Sequence, residues 1–181
     1  ADPEDEGFWE EGSNLVLNHD YEDLGGDLTS PLDFTNWINS TATDITANSF
    51  TTGGSGQGVF YSLTTNKVYQ VNVSGITGDI SIRYRDGGGA GTVLGAFDTN
   101  LYFDTSGLSS PNIYIRALSA TNATVTDVSI KEVDPNDRWT LGTGWTIEDG
   151  KAVSAGHSTH SSCTQTLSLP IGQYEVSFAL T

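Results

Sequence analysis

The sequence predicts an all-β protein: an antiparallel β-sandwich of the jelly-roll kind, followed by the first half of a second, similar sandwich. Three observations carry this expectation. Apolar residues recur with period two, as Tyr69, Val71 and Val73 do in KVYQVNVSG and Ile80, Ile82 and Tyr84 do in DISIRYR. Clusters of Gly, Ser, Thr and Asn separate these short runs. No window sustains the i, i+3, i+4, i+7 stripe of an amphipathic helix.

The elements follow in chain order. Residues 1–13, ADPEDEGFWEEGS, carry six acidic residues around Phe8 and Trp9. So many like charges do not fold alone. The segment reads either as a solvated leader or as a docking arm anchored on another subunit by Phe8 and Trp9. NLVLN (14–18) is a first strand, and the Gly-, Asp- and Pro-rich stretch 19–35 is a loop. Trp37 and Ile38 open a second strand, and Ile45 to Phe50 suggests a third. TTGGSGQG (51–58) is a loop. GVFYSL (58–63) and KVYQVNVSG (67–75) read as a hairpin across TTN. Further strands follow at DISIRYR, 101–103, NIYIRAL and ATVTDVSIKEV (123–133), with DGGGAG (86–91) as a turn. The sandwich is expected over 14–133, with a linker at 134–138.

Residues 139–181 open a second unit. Trp145-Thr146-Ile147 answers Trp37-Ile38, and Tyr174, Val176 and Phe178 answer Tyr69, Val71 and Val73. The spacing fits an internal repeat of domain length. Half a sandwich leaves an apolar face and open strand edges. Three outcomes would close it: a chain that continues past Thr181, a neighbouring subunit, or packing onto the first domain. The first is the expectation.

Composition narrows the function. With 7 Lys and Arg against 23 Asp and Glu, the formal charge is −16. Nucleic acid and anionic membranes need clustered cations, so neither is an expected partner. No apolar run is long enough to span a bilayer as a helix. The single cysteine, Cys163, allows no intrachain disulfide. In HSTHSSC, His157, His160 and Cys163 stand three apart, but on a loop or strand that spacing points them to opposite faces, and no fourth zinc ligand is evident. GGGAG lacks the Lys-Ser/Thr step of a phosphate loop, and no GxSxG elbow occurs. The chain is expected not to be an enzyme. Aromatics able to stack on sugars are Trp37, Tyr61, Tyr102 and Trp145, although matched bulk at Trp37 and Trp145 also suits a repeated core plug.

NLVLNHDYE (14–22) resembles the opening of jelly-roll modules related to carbohydrate-binding modules, and TVTDVSIKEVD (124–134) resembles their closing strand. His19 stands where those modules often have Gly, and the stretch 20–36 is long. WTLGTGWTIEDGKAVSAG followed by TQTLSLPIGQYEVSFALT resembles the opening half of repeats in phage and prophage tail-fibre and virion-surface proteins, through Trp145, Asp149 to Ala152, Gln165, and Tyr174 to Phe178. The resemblance implies a jelly roll and a virion-surface structural protein: capsid decoration, head fibre or tail fibre. Its partners would be other virion proteins, identical subunits or a cell-surface glycan. It also implies a structural calcium on Asp20, Glu22 and Asp127, where the alternative is surface acids on an acidic chain. The rival reading is a carbohydrate-binding module of a secreted or cell-surface bacterial protein. A repeat segment of a bacterial surface adhesin is a third.

Overall fold

The computed structural model describes residues 24–134, 138–148, 151–154, 161–168 and 171. The expected arm 1–13 and the strand at 14–18 lie outside them, as do Tyr174, Val176 and Phe178. Among the described residues thirteen strands are present: β1 (Ile38–Ser40), β2 (Ser49–Thr52), β3 (Gly58–Ser62), β4 (Val68–Thr77), β5 (Ile80–Asp86), β6 (Thr92–Gly95), β7 (Leu101–Asp104), β8 (Pro111–Ala117), β9 (Thr121–Val133), β10 (Thr140–Leu141), β11 (Trp145–Glu148), β12 (Lys151–Ser154) and β13 (Cys163–Thr164). The fold is all-β, as the alternation predicts.

Two antiparallel sheets make the sandwich. One has the order β1-β3-β8-β5-β6 and the other β2-β9-β4-β7. Alternation decides which side chains meet between them. Ile113, Ile115 and Ala117 of β8 point inward, as do Val71 and Val73 of β4 and Val125, Val128 and Ile130 of β9. They share one core with Phe34, Trp37, Phe50 and Phe103. β9 is the longest strand, and it pairs with β4 along most of its length.

The stretch before β1 is not a plain loop. Asp33 caps a 3-10 turn, Phe34–Asn36, by accepting from the Thr35 N–H at 3.0 Å and from its hydroxyl at 2.6 Å. The turn drives Phe34 into the core. Trp37 then packs edge-on against Phe34 at 5.0 Å and against Tyr61 at 5.4 Å.

The segment leading into that turn is fastened to β9. Leu24 bridges Val133, and the Leu28 N–H donates to the Ile130 carbonyl at 2.9 Å. Asp27 is the clasp. Its Oδ1 accepts from the Thr29 N–H and hydroxyl and from the Ile130 N–H. Burial pushes this carboxyl up, but the hydrogen bonds from Thr29, Ile130 and Ser129 outweigh it and hold it below its ordinary 3.8. A depressed pKa gives stability that is present above the unfolded value and lost as pH falls through the folded one. Stability is therefore expected to fall below about pH 4, and Asp27→Asn is expected to flatten part of that fall. Urea melts of both proteins between about pH 2.5 and 7 check this; parallel curves would contradict it.

Three strand expectations need correction. β3 and β4 are not a hairpin: β3 pairs with β1 and β8, whereas β4 pairs with β7 and β9. The chain changes sheets at residues 63–67, and buried Thr105 holds that corner. Its hydroxyl oxygen accepts from the Lys67 N–H at 2.9 Å and lies 2.9 Å from the Thr64 carbonyl and 2.8 Å from that of Lys67. Asn66 there adopts φ 59°, in the left-handed region. The third strand starts at Ser49 and not at Ile45, because Asp44 is also left-handed and Thr46 bonds Ser49 in a turn. β6 had no sequence signal. It is an edge strand whose Thr92 and Val93 are exposed.

Candidate functional site

The strands after β9 build two small sheets, β10-β13 and β11-β12, which hydrogen-bond to neither sheet of the sandwich. β11 and β12 pair from Trp145–Ser154 to Glu148–Lys151. Alternation turns Ile147 away from the solvent side, and it seats on the end of the sandwich. It is 2% exposed and clusters with Val68 of β4 and Val133 of β9. Leu24, Tyr102 and Leu141 pack around them. This is a seam with its own apolar core, separate from the main one.

A cleft of about 660 Å³ opens along the seam. Its sandwich wall includes Asn66, Lys67, Asp104 and Asp134, and its other wall includes Trp139 and Trp145. Lys67 Nζ stands 2.8 Å from a Glu132 carboxylate oxygen. Asp134 is 5% exposed, left-handed at φ 54°, and accepts from the Trp139 N–H at 2.8 Å. That bond holds the Trp139 backbone beside the cleft. The indole Nε1 of Trp145 is buried and has no hydrogen-bond partner. A buried donor without an acceptor costs about 1–3 kcal/mol.

The four predicted stacking residues do not form one platform. Trp37 is 7% exposed and serves as a core plug. Tyr61 packs on it and spends its hydroxyl on the Leu28 carbonyl at 3.0 Å. Tyr102 packs at the seam and its hydroxyl accepts from Gln70 Nε2 at 2.9 Å. Trp145 lies in the cleft. Trp37 and Trp145, matched in sequence, thus differ in surroundings. Trp139 was missed, because nothing in WTLGTG marks it as more than a strand opener; Asp134 five residues earlier is the partner that gives it a place.

Of the three residues implied as calcium ligands, Asp127 is described: it is exposed on β9, opposite Ser74 of β4. Asp20 and Glu22 lie outside the described residues. Among the described residues no group of three or more His, Cys, Asp or Glu could hold a metal. Cys163 is half-buried on β13 opposite Leu141; His157 and His160 lie outside the described residues. No helix is long and apolar enough to cross a membrane among the described residues.

Comparison with family models, with curated proteins and with solved structures finds no match for the chain.

Proposed function

We propose that the chain is a non-enzymatic structural protein of a virion surface, built from β-sandwich units abutted in series. The observation that supports this most is the seam: Ile147 locks the strands after β9 onto the end of the first sandwich through Val68 and Val133. A flexible string of binding modules would separate its units with a polar linker and leave their ends wet. A projecting fibre or decoration instead gains from a dry joint that keeps successive units in line. The strand order adds to the reading. β2-β9-β4-β7 against β3-β8-β5-β6 divides eight strands four and four, as a jelly roll does, with β1 as an extra edge. The strongly acidic surface suits a particle exposed to solvent. Gold-labelled antibody against the folded chain, applied to particles purified from its source, tests the proposal. Regular decoration of particles is expected; protein found only in the particle-free fraction would overturn it.

A second reading, glycan binding, is favoured by one observation: two indoles line the same cleft as carboxylate and amide groups. Sugars are bound by ring stacking on aromatics plus hydrogen bonds of this kind. If the cleft takes a neutral sugar, Trp139→Ala is expected to weaken glycan-array binding at least about tenfold, or roughly 1.4 kcal/mol, without lowering the melting temperature of the sandwich. Binding unchanged by that substitution would remove the cleft from consideration.

A further inference from the structure

Residues 24–134 contain three arginines, Arg83, Arg85 and Arg116, and all three stand on the outer face of the five-stranded sheet. Register puts Arg83 opposite Tyr114, Arg85 opposite Asn112, and Arg116 opposite Gly58 on one side and Ser81 on the other. The Arg85 guanidinium lies between two rings, 4.2 Å from the centroid of Phe60 and 4.1 Å from that of Tyr114. Its Nε donates to Asn112 Oδ1 at 2.7 Å. Arg83 donates to Ser81 Oγ and to the Ala90 and Gly91 carbonyls. Among the described residues, no carboxylate forms an ion pair with any of the three. Arg116 Nε is buried with no hydrogen-bond partner. Ile38, opposite Phe60, is 51% exposed, and Val93, opposite Arg83, is 53% exposed. The face thus has a buried Arg85–Tyr114 stack at its centre, 8% and 1% exposed, with half-buried Arg83, Arg116 and Phe60 around it and apolar residues on both flanks, on a chain whose formal charge is −16.

Such a face fits an acidic segment that also carries aromatic side chains. The chain has one in residues 1–13, with Asp2, Glu4, Asp5, Glu6, Glu10 and Glu11 around Phe8 and Trp9. We propose that residues 1–13 dock on the outer face of the five-stranded sheet of their own chain. The acids answer Arg83 and Arg116, and the two rings cover Ile38 and Phe60. Reach permits it. The Tyr61 hydroxyl donates to the Leu28 carbonyl, which sets the first described stretch beside β3. Residues 14–23 span up to about 33–36 Å when extended. With sheets about 10 Å apart and strands about 4.8 Å apart, the path round the β1 edge is roughly 20–25 Å. A tether of this length holds the segment at an effective concentration on the order of millimolar, so its own chain outcompetes a second copy at micromolar protein. The proposal does not depend on the virion reading or on the seam.

The test places p-benzoylphenylalanine at position 8 of the full chain and irradiates it at micromolar concentration. Cross-links at monomer mass are expected, on peptides containing Ile38–Ser40 or Gly58–Ser62. Their yield is expected to fall at least fivefold when the six acids of residues 1–13 become amides (Asp→Asn, Glu→Gln), a change that leaves every sandwich residue in place. Raising salt from about 0.05 to 0.5 M is expected to lower the yield as well. Cross-links that join two chains, that fall on other surfaces, or that are insensitive to the amide changes would each overturn the proposal, as would their absence.

Discussion

Gly58→Ala is expected to destabilise the sandwich by about 3–4 kcal/mol, well beyond the ordinary effect of a point substitution. Gly58 opens β3, which lies between β1 and β8, and its φ is 155°. A Cβ added there would sit 2.0 Å from the Ile115 carbonyl oxygen and 3.2 Å from the Arg116 Cα. Both are backbone atoms of the neighbouring strand, so no side-chain rotation relieves the overlap. The strand must move, and the Gly58–Arg116 and Gly58–Ser40 pairings move with it. For a domain of this size the cost corresponds to a loss of roughly 8–14 °C in melting temperature. Gly54→Ala is the control: a Cβ at Gly54 meets nothing within 4 Å, and a change within about 0.5 kcal/mol is expected. Equal melts for the two variants would mean that β3 does not approach β8 as described.

Ile147→Asp is expected to release β11 and β12 from the sandwich while leaving the main core folded. The side chain is 2% exposed among Val68, Val133, Leu24, Tyr102 and Leu141, and none of these carries a positive charge to pair with a carboxylate. Burying an unpaired charge costs several kcal/mol, more than a seam of this size supplies. The seam should open in preference to holding the charge. Amides of β11 and β12 are expected to lose at least about 100-fold in exchange protection, or roughly 2.7 kcal/mol, while those of β4 and β9 keep theirs. Ile147→Val removes one methyl group and is expected to cost about 0.5–1.5 kcal/mol at the same amides. Uniform loss across β4, β9 and β11 would mean that the seam and the main core are one cooperative unit.

How much of this was legible in the sequence depends on the range of the cause. Period-two alternation is local, so Tyr69-Val71-Val73, Ile80-Ile82 and Ile113-Ile115 identified β4, β5 and β8. Partner choice is not local. TTN between two apolar runs reads as a hairpin loop, and what diverts the chain to the other sheet is Thr105, some forty residues on. The same holds for Trp37: its position before a strand was visible, but its burial needed Phe34, delivered by a 3-10 turn that one capping aspartate creates. Of the cleft, Trp145 was within reach as an aromatic and Trp139 was not, since its role comes from a left-handed Asp134. The arginine face shows the limit clearly. Arg83 and Arg85 stand on one strand and Arg116 on another, and only the β5–β8 register makes them one surface.

The most direct test of the central claim, that successive β units are joined by a dry, fixed seam, is backbone ¹⁵N relaxation of the full chain. If Ile147 locks the joint, amides of β9 and of β11 report one common rotational correlation time, and Ile147→Asp separates them. Distinct tumbling times for β9 and β11 in the unsubstituted protein would contradict a fixed seam, and with it the principal support for a projecting structural role.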